Sequence, residues 1–265
     1  MEYEDLLLEK EDGIATITLN APDKLNALGM KLRQSLLLAA DEVAKDDEVR
    51  VVIVTGAGRG FCSGADLSGG AAGGAGGGPS RSQFLEVLGP GYGAETFFKM
   101  DKPVIAAING VAAGAGFSLA LSMDIRIASE TARFGAVFVL RGLVPDCGIT
   151  YWLPRMVGTA KALELMFTGE IIGAAEAERL GIVSRVVPPD ELMKVTRELA
   201  AKIAQQPPLP VELAKRIVYR TMADDIARNL DLETWAQRIC TGSEDSREAI
   251  RAFLEKRPPA PFKGR

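Results

Sequence analysis

Two stretches of small residues carry the chemistry this chain is best equipped to do. Gly58-Arg59-Gly60-Phe61-Cys62-Ser63-Gly64-Ala65-Asp66-Leu67 follows the apolar run Val51-Val52-Ile53-Val54, and Asn109-Gly110-Val111-Ala112-Ala113-Gly114-Ala115-Gly116 follows Val104-Ile105-Ala106-Ala107-Ile108. Each stands between a predicted strand and a predicted helix. Small side chains let a ligand approach bare peptide N–H groups, and the first turn of a helix leaves such groups unpaired at the positive end of its dipole. Two such helix starts facing each other predict an oxyanion hole, a seat for a carbonyl oxygen that gains charge during reaction.

The residues that could move protons are bounded by one absence: the chain has no histidine. That removes Ser-His-Asp and Cys-His activation, His-ligated metals and imidazole acid–base chemistry. Proton transfer falls to carboxylates, tyrosine, lysine, cysteine or water. Gly116-Phe117-Ser118-Leu119-Ala120 imitates a hydrolase nucleophile elbow, yet Ser118 lacks the ordinary base and reads as a small residue near a helix start. Thr55-Gly56-Ala57-Gly58-Arg59-Gly60 has the wrong spacing for a dinucleotide fingerprint, and a glycine-rich stretch stands where the ribose-binding acid belongs. No phosphate-loop motif occurs.

The elements that must position these residues follow from periodicity. Residues 3 to 9 and 14 to 19 read as a hairpin around Glu11-Asp12-Gly13, and a helix is predicted from about Gly29 to Lys45 on the spacing of Leu32, Leu36, Ala39, Ala40 and Val43. Strands are expected at 51–54, 103–108 and 124–128, with helices at 80–99 and 114–122. Gly69 to Pro79 is too poor in side chains to pack and reads as a surface loop. Beyond Pro145 the pattern is helical near 147–167, 174–180, 190–205, 209–222, 226–240 and 245–256, broken only by a strand at 182–187. The expected class is α/β with a C-terminal helical layer: a core over 1–190 and a helical region over 191–265. The terminal helices can pack on a partner subunit or within the chain.

Composition sets the remaining bounds. The 265 residues are 47% hydrophobic, enough for a sizeable core, and 31 basic against 35 acidic residues leave a net charge of −4. Basic residues are scattered, so no footprint for nucleic acid or an anionic membrane is expected. No apolar run reaches the roughly 18 to 20 residues of a membrane span, and the acidic start Met1-Glu2-Tyr3-Glu4-Asp5 lacks the head of a signal peptide. The chain reads as cytoplasmic. Cys62, Cys147 and Cys240 stand singly, so reduced thiols are expected and neither a disulfide framework nor a zinc site.

In sequence order, Leu25-Asn26-Ala27-Leu28, Gly60 to Leu67, Asn109 to Gly116, Phe134-Gly135, Gly142-Leu143-Val144-Pro145-Asp146, Leu153-Pro154 and Gly158 together resemble the crotonase superfamily, the enoyl-CoA hydratase/isomerase group. Thr168-Gly169, Ala174 to Leu180 and Gly181-Ile182-Val183 extend the resemblance over nearly the whole chain. It implies a crotonase-like spiral of ββα units whose C-terminal helices build homotrimers or hexamers. It implies an acyl-CoA thioester as substrate, coenzyme A entering as part of it, with no metal and no other cofactor.

The same resemblance puts the two oxyanion N–H groups on Ala65 and Ala115. Ala115 replaces the middle glycine of the usual Gly114–Gly116 triplet, so its φ must suit a residue with a Cβ. It places Ser118 and Phe138 where hydratases carry their two acids, and neither can act as one. Asp146 falls on a third position, used as the acid–base residue in isomerase branches, and Val144-Pro145-Asp146-Cys147-Gly148 is most similar to ring-modifying isomerases of phenylacetate-type pathways. An N-cap for a helix starting near Cys147 is the competing role for Asp146. Val144, Pro145 and Trp152 are expected to desolvate it in part.

Asp66 reads as a helix-start or loop-fixing residue rather than an acid, and Cys62 and Cys147 as packing residues. Coenzyme A contacts are implied around Ala27, Ser63 and Leu67, with Phe253 and Lys256 reaching a neighbouring subunit's ligand or, equally, forming a solvated terminal helix. The leading expectation is an enoyl-CoA isomerase. A hydratase or hydrolase using water placed by Asp146, and a non-catalytic acyl-CoA binder, are the alternatives.

Overall fold

The hairpin opens the chain as expected. β1 (Leu6–Glu11) and β2 (Ile14–Leu19) pair antiparallel around Asp12 and Gly13. Both turn residues have positive φ, 50° and 76°, the geometry whose twist matches that of the flanking strands. This computed structural model describes residues 3–66, 94–141, 143–222, 243–255 and 257–265. α1 (Met30–Lys45) follows the hairpin and buries Leu32, Leu36, Ala39, Ala40 and Val43, the face its periodicity predicted.

Among the described residues the strands form two sheets. The larger runs β1-β2-β3-β5-β7-β10, with β3 (Val51–Gly56), β5 (Val104–Ile108), β7 (Ile125–Ser129) and β10 (Arg185–Val187) parallel to β2 through successive neighbours. Its central strands β3 and β5 read as apolar runs because both faces are covered. Val52, Val54, Ala106 and Ile108 share a core with α1, while Val51, Ile53, Ile105 and Ala107 face a second core that includes Leu192 and Ala200 of α7 (Leu192–Ala204). The boundary placed at 190/191 thus falls just before a helix that covers the sheet.

The smaller sheet escaped the sequence reading. It runs β4-β6-β8-β9, built from β4 (Gly60–Cys62), β6 (Val111–Ala113), β8 (Arg133–Gly135) and β9 (Ile171–Gly173). Strands of three residues are too short to show alternation, and two of them lie inside the small-residue segments. β9 also corrects the expectation that 182–187 is the one strand beyond Pro145; there the ladder itself is only Arg185–Val187.

The two sheets explain the repeat. β3-β4, β5-β6 and β7-β8 each send a long strand into the first sheet and a short one into the second. Helices return the chain after them: α2 (Ala94–Lys99) after the second pair's predecessor and α3 (Ala115–Leu121) after β6. The helix expected over 147–167 is two, α4 (Ile149–Val157) and α5 (Thr159–Thr168), separated at Gly158 with φ +80°. α6 (Ala174–Arg179), α8 (Pro208–Thr221) and α9 (Glu244–Glu255) match expectation. The glycine-rich stretch at 69–78, residues 80–93 of the expected helix, the helix at 226–240 and Cys240 lie outside the described residues.

α8 is anchored by a buried polar network. Lys215 Nζ lies 2.8 Å from Asp124 Oδ2 and donates to the carbonyls of Phe97 and Lys102, while Tyr219 donates its hydroxyl to Asp124 Oδ1 at 2.7 Å. Burial lowers the Lys215 pKa and raises that of Tyr219, and among the described residues no buried side-chain nitrogen or oxygen lacks a hydrogen-bond partner.

Candidate active site

The first small-residue segment is shaped by two amides. Asn26, fully buried, accepts the Ala21 N–H on Oδ1 and donates from Nδ2 to the carbonyls of Ala57 (3.0 Å) and Gly60 (2.7 Å). Asn109 donates to the carbonyls of Gly58 (2.9 Å) and Gly60 (3.2 Å) and accepts the Gly56 N–H at 3.1 Å. Together they clamp the turn between β3 and β4. Both residues stand in motifs already singled out, yet their role depends on segments far apart in sequence, so spacing alone could not assign it.

Pairing of β4 with β6 then lays the first segment against the second. Leu28 donates its N–H to the Gly64 carbonyl at 2.7 Å and forms a parallel bridge with Ala65. Because Leu28 pairs through Gly64, alternation along the extended chain turns the Ala65 N–H to the opposite side. Gly64 has φ +105°, and a Cβ there would lie 2.8 Å from the Ala113 carbonyl oxygen and 3.3 Å from the Ala115 nitrogen. Only glycine lets the two segments come this close.

The second segment enters its helix sharply. Gly114 has φ +52° and donates its N–H to the Gly135 carbonyl at 2.9 Å; Ala115 is then the first residue of α3, where the helix itself offers no acceptor for its N–H. The unusual φ falls on Gly114, so the Cβ of Ala115 is accommodated in ordinary helical backbone. Close packing belongs to other residues: a Cβ on Gly116 would lie 2.1 Å from the Cys62 carbonyl oxygen, and one on Gly110 2.1 Å from that of Arg59. Glycines press the segments together, leaving the alanine amides at the seam.

Asp146 is tied to the same helix. Ser118, one turn beyond Ala115 and fully buried, has its hydroxyl oxygen 3.0 Å from the Asp146 main-chain carbonyl and 3.3 Å from that of Gly114. Cys147 donates its thiol to Asp146 Oδ1 at 2.9 Å. The expected capping role is not what the side chain does: Gly148, with φ +84°, is the N-cap of α4, and Asp146 offers only its main-chain carbonyl to the Ile149 N–H at 3.2 Å. The expected shielding also fails at Val144, which is 75% exposed, and Asp146 itself is exposed. Trp152 is buried instead, edge-on to Phe98, Tyr151 and Tyr219.

Cys62 and Cys147 are buried, as their reading as packing residues expects. Burial pushes the Cys62 thiol up to about 12. Cys147 is raised as well, by burial first and then by its bond to the Asp146 carboxylate; the charge of Arg33 on α1 opposes the shift. A protonated thiol is a poor nucleophile. Arg33 was not singled out in the sequence, since nothing in its spacing links it to residue 147.

The remaining candidates gather beside the seam. Ser63 donates its hydroxyl to the Lys24 carbonyl at 3.1 Å, and Asp66 Oδ2 lies 2.8 Å from Lys24 Nζ, which gives Asp66 the loop-fixing place expected of it. Ala27 lies between Leu25, which accepts the Ser63 N–H, and Leu28, and is partly exposed. Phe138 is buried at 6% exposure, next to Val137, a methyl of which is 3.9 Å from where a Cβ on Gly114 would stand. Leu67 and Lys256 lie outside the described residues; Phe253 is on α9, with its side chain also outside them. Among the described residues no three His, Cys, Asp or Glu side chains are grouped to hold a metal, and no helix is long and apolar enough to cross a membrane.

Comparison with known proteins bears directly on this arrangement. The family model described as Enoyl-CoA hydratase/isomerase matches residues 9–265. A short-chain-enoyl-CoA hydratase of Clostridium acetobutylicum is 40% identical over 100% of both chains, and a 1,2-epoxyphenylacetyl-CoA isomerase of Escherichia coli is 38% identical over 98% of each. The crystal structure of an enoyl-CoA hydratase from Bacillus anthracis matches with a TM-score of 0.90 at 34% identity, covering 99% of this chain and 100% of that one. With two sheets fed by repeated strand pairs and an amide seam at the expected segments, the chain has the crotonase fold and belongs to the enoyl-CoA hydratase/isomerase family.

Proposed function

We propose that the protein shifts a double bond within an enoyl-CoA, using Asp146 as its single acid–base group. The observation that carries this reading is the Ser118 hydrogen bond to Asp146, which fixes a carboxylate-bearing loop to the helix that begins at Ala115. The positions where hydratases of this family carry their acids hold Ser118 and Phe138, so one carboxylate is left to serve both ends of the transfer.

The thioester oxygen sits between the N–H groups of Ala65 and Ala115. The Asp146 carboxylate takes a proton from carbon; the C–H electron pair delocalises into a dienolate whose oxygen is held by the two amides. The now protonated Asp146 returns the proton two carbons away, the double bond re-forms at its new place, and the carboxylate is regenerated. Each well-placed amide is worth roughly 3 kcal/mol in the transition state, and general base help about 10² to 10⁴ in rate. The step balances without metal or redox cofactor.

Coenzyme A contacts fall to the main chain around Ala27, Ser63 and Leu67, with Gly114 lending the close approach and Asp66 bracing the loop. Phe253, on α9, and Lys256 are assigned to a neighbouring subunit's ligand in a homotrimer or hexamer, the lysine meeting phosphate. The second reading, hydration with water placed by Asp146, is favoured by the hydratase names among the relatives, the 40% identical one included.

Turnover of enoyl-CoA substrates in D2O and in water labelled with heavy oxygen separates the two. Isomerisation puts no solvent oxygen in the product, and deuterium enters only as far as the exposed Asp146 carboxyl exchanges its proton with solvent before returning it. Incorporation of solvent oxygen as the main outcome would overturn the isomerase reading in favour of hydration.

A further inference from the structure

The segment bearing Asp146 has few means of holding still. From Leu143 to Gly148 only Cys147 is buried and Asp146 itself is exposed, and the two last residues, Cys147 and Gly148, have φ of +56° and +84°. A left-handed non-glycine residue persists only where its surroundings fix it. Yet a base must meet its carbon within a narrow tolerance, and misplacement by about 1 Å can cost about 10²-fold in rate.

We infer that Ser118 is a positioning residue that holds Asp146 in register with the oxyanion amide of Ala115. This rests on the isomerase reading above and deepens it. Ser118 is fully buried, and its hydroxyl has one hydrogen to give. Asp146 O at 3.0 Å is the nearer acceptor; Gly114 O at 3.3 Å, four residues back on the same helix, is the alternative that any buried helical serine could use.

The bond to Asp146 is therefore the informative one, because it joins residues 28 apart in sequence. Ala115 and Ser118 stand one turn apart on α3, so they lie on neighbouring positions of one helix face. A single rigid element thereby carries the donor for the enolate oxygen at its start and the tether for the base a turn later. Cys147 adds a hold on the side chain: its thiol donates to Oδ1, and no described residue bonds Oδ2, the oxygen assigned to take the proton.

The role differs from substrate contact. The Ser118 hydroxyl is spent on protein carbonyls at the floor of the site, so its loss should move the rate and leave binding alone. The chain uses the position where related enzymes carry an acid to support the acid it has kept.

The test compares Ser118→Ala, Ser118→Cys, Asp146→Asn and the double variant that combines Ser118→Ala with Asp146→Asn. The readouts are kcat and KM for a β,γ-enoyl-CoA and the rate of solvent deuterium entry. In Ser118→Ala we expect kcat and deuterium entry to fall together by about 10- to 100-fold while KM moves less than about threefold. Ser118→Cys, which keeps a weak donor, should recover part of that loss, and it decides the question by itself if the alanine variant does not fold. In the Asp146→Asn background Ser118→Ala should add nothing further.

Unchanged kcat in Ser118→Ala or, failing that variant, in Ser118→Cys overturns the positioning role. So does an additive loss in the double variant, or a change confined to KM. Full turnover in Asp146→Asn is a different result: it removes the isomerase reading on which the inference rests.

Discussion

A Cβ placed on Gly64 would lie 3.3 Å from the amide nitrogen of Ala115, although the two residues belong to segments separated by more than a strand and a helix. The Ala113 carbonyl is nearer still, at 2.8 Å, and φ at Gly64 is +105°. The seam between the two amides proposed to hold the oxyanion therefore depends on a residue that carries no functional group.

Gly64→Ala combines a backbone strain of order 1 to 3 kcal/mol with displacement of the Ala113 carbonyl. It should lower stability by that amount in urea unfolding and reduce turnover disproportionately, because both oxyanion amides flank the point of contact. Wild-type turnover in a folded Gly64→Ala would show that the spacing of the seam does not matter.

The donor itself can be removed with little damage to the fold. Ala115 is the first residue of α3, the helical position where proline is best tolerated, since the N–H it lacks has no partner in the helix. Ala115→Pro should leave the far-ultraviolet spectrum unchanged and lower kcat by about 10² to 10³, the usual effect of losing one oxyanion donor. A folded Ala115→Pro variant that retains kcat would rule this amide out.

The C-terminal tail offers a test by pH. Glu248 on α9 pairs with Arg257 at 2.7 Å and accepts the Ala260 N–H, and these bonds hold its carboxyl down from 4.5 to about 2. A depressed acid stabilises the fold fully above its unfolded value and ceases to do so as pH falls through its folded value. The difference in urea midpoint between the wild type and Glu248→Gln should thus be constant above about pH 5 and narrow steadily from 4.5 toward 2. A difference that stays constant to pH 3 would show that the clasp contributes nothing.

The long elements were legible because their burial is patterned. Val51 to Val54 and Val104 to Ile108 read as buried strands since both faces of the larger sheet are covered, and α1 showed its inner face in Leu32, Leu36 and Val43. The small sheet was not legible, because Gly60–Cys62 and Val111–Ala113 are three-residue strands whose small side chains are set by the packing of one segment on the other.

The site divides the same way. Ala65, Ala115 and Asp146 were marked by order and resemblance, whereas the clamping amides of Asn26 and Asn109 and the Ser118 tether are contacts between distant segments. The expected Asp146 cap was overturned by Gly148, whose left-handed φ lets the chain enter α4 without a side-chain cap.

In the proposed isomerisation one carboxylate, Asp146, carries the proton in both directions. The most direct measurement is turnover of a β,γ-enoyl-CoA by Asp146→Asn, alongside its affinity for a saturated acyl-CoA. We expect kcat to fall by about 10² or more with the affinity unchanged, because the amide keeps the shape of the side chain and loses only the base. Near-normal turnover in that variant would contradict it.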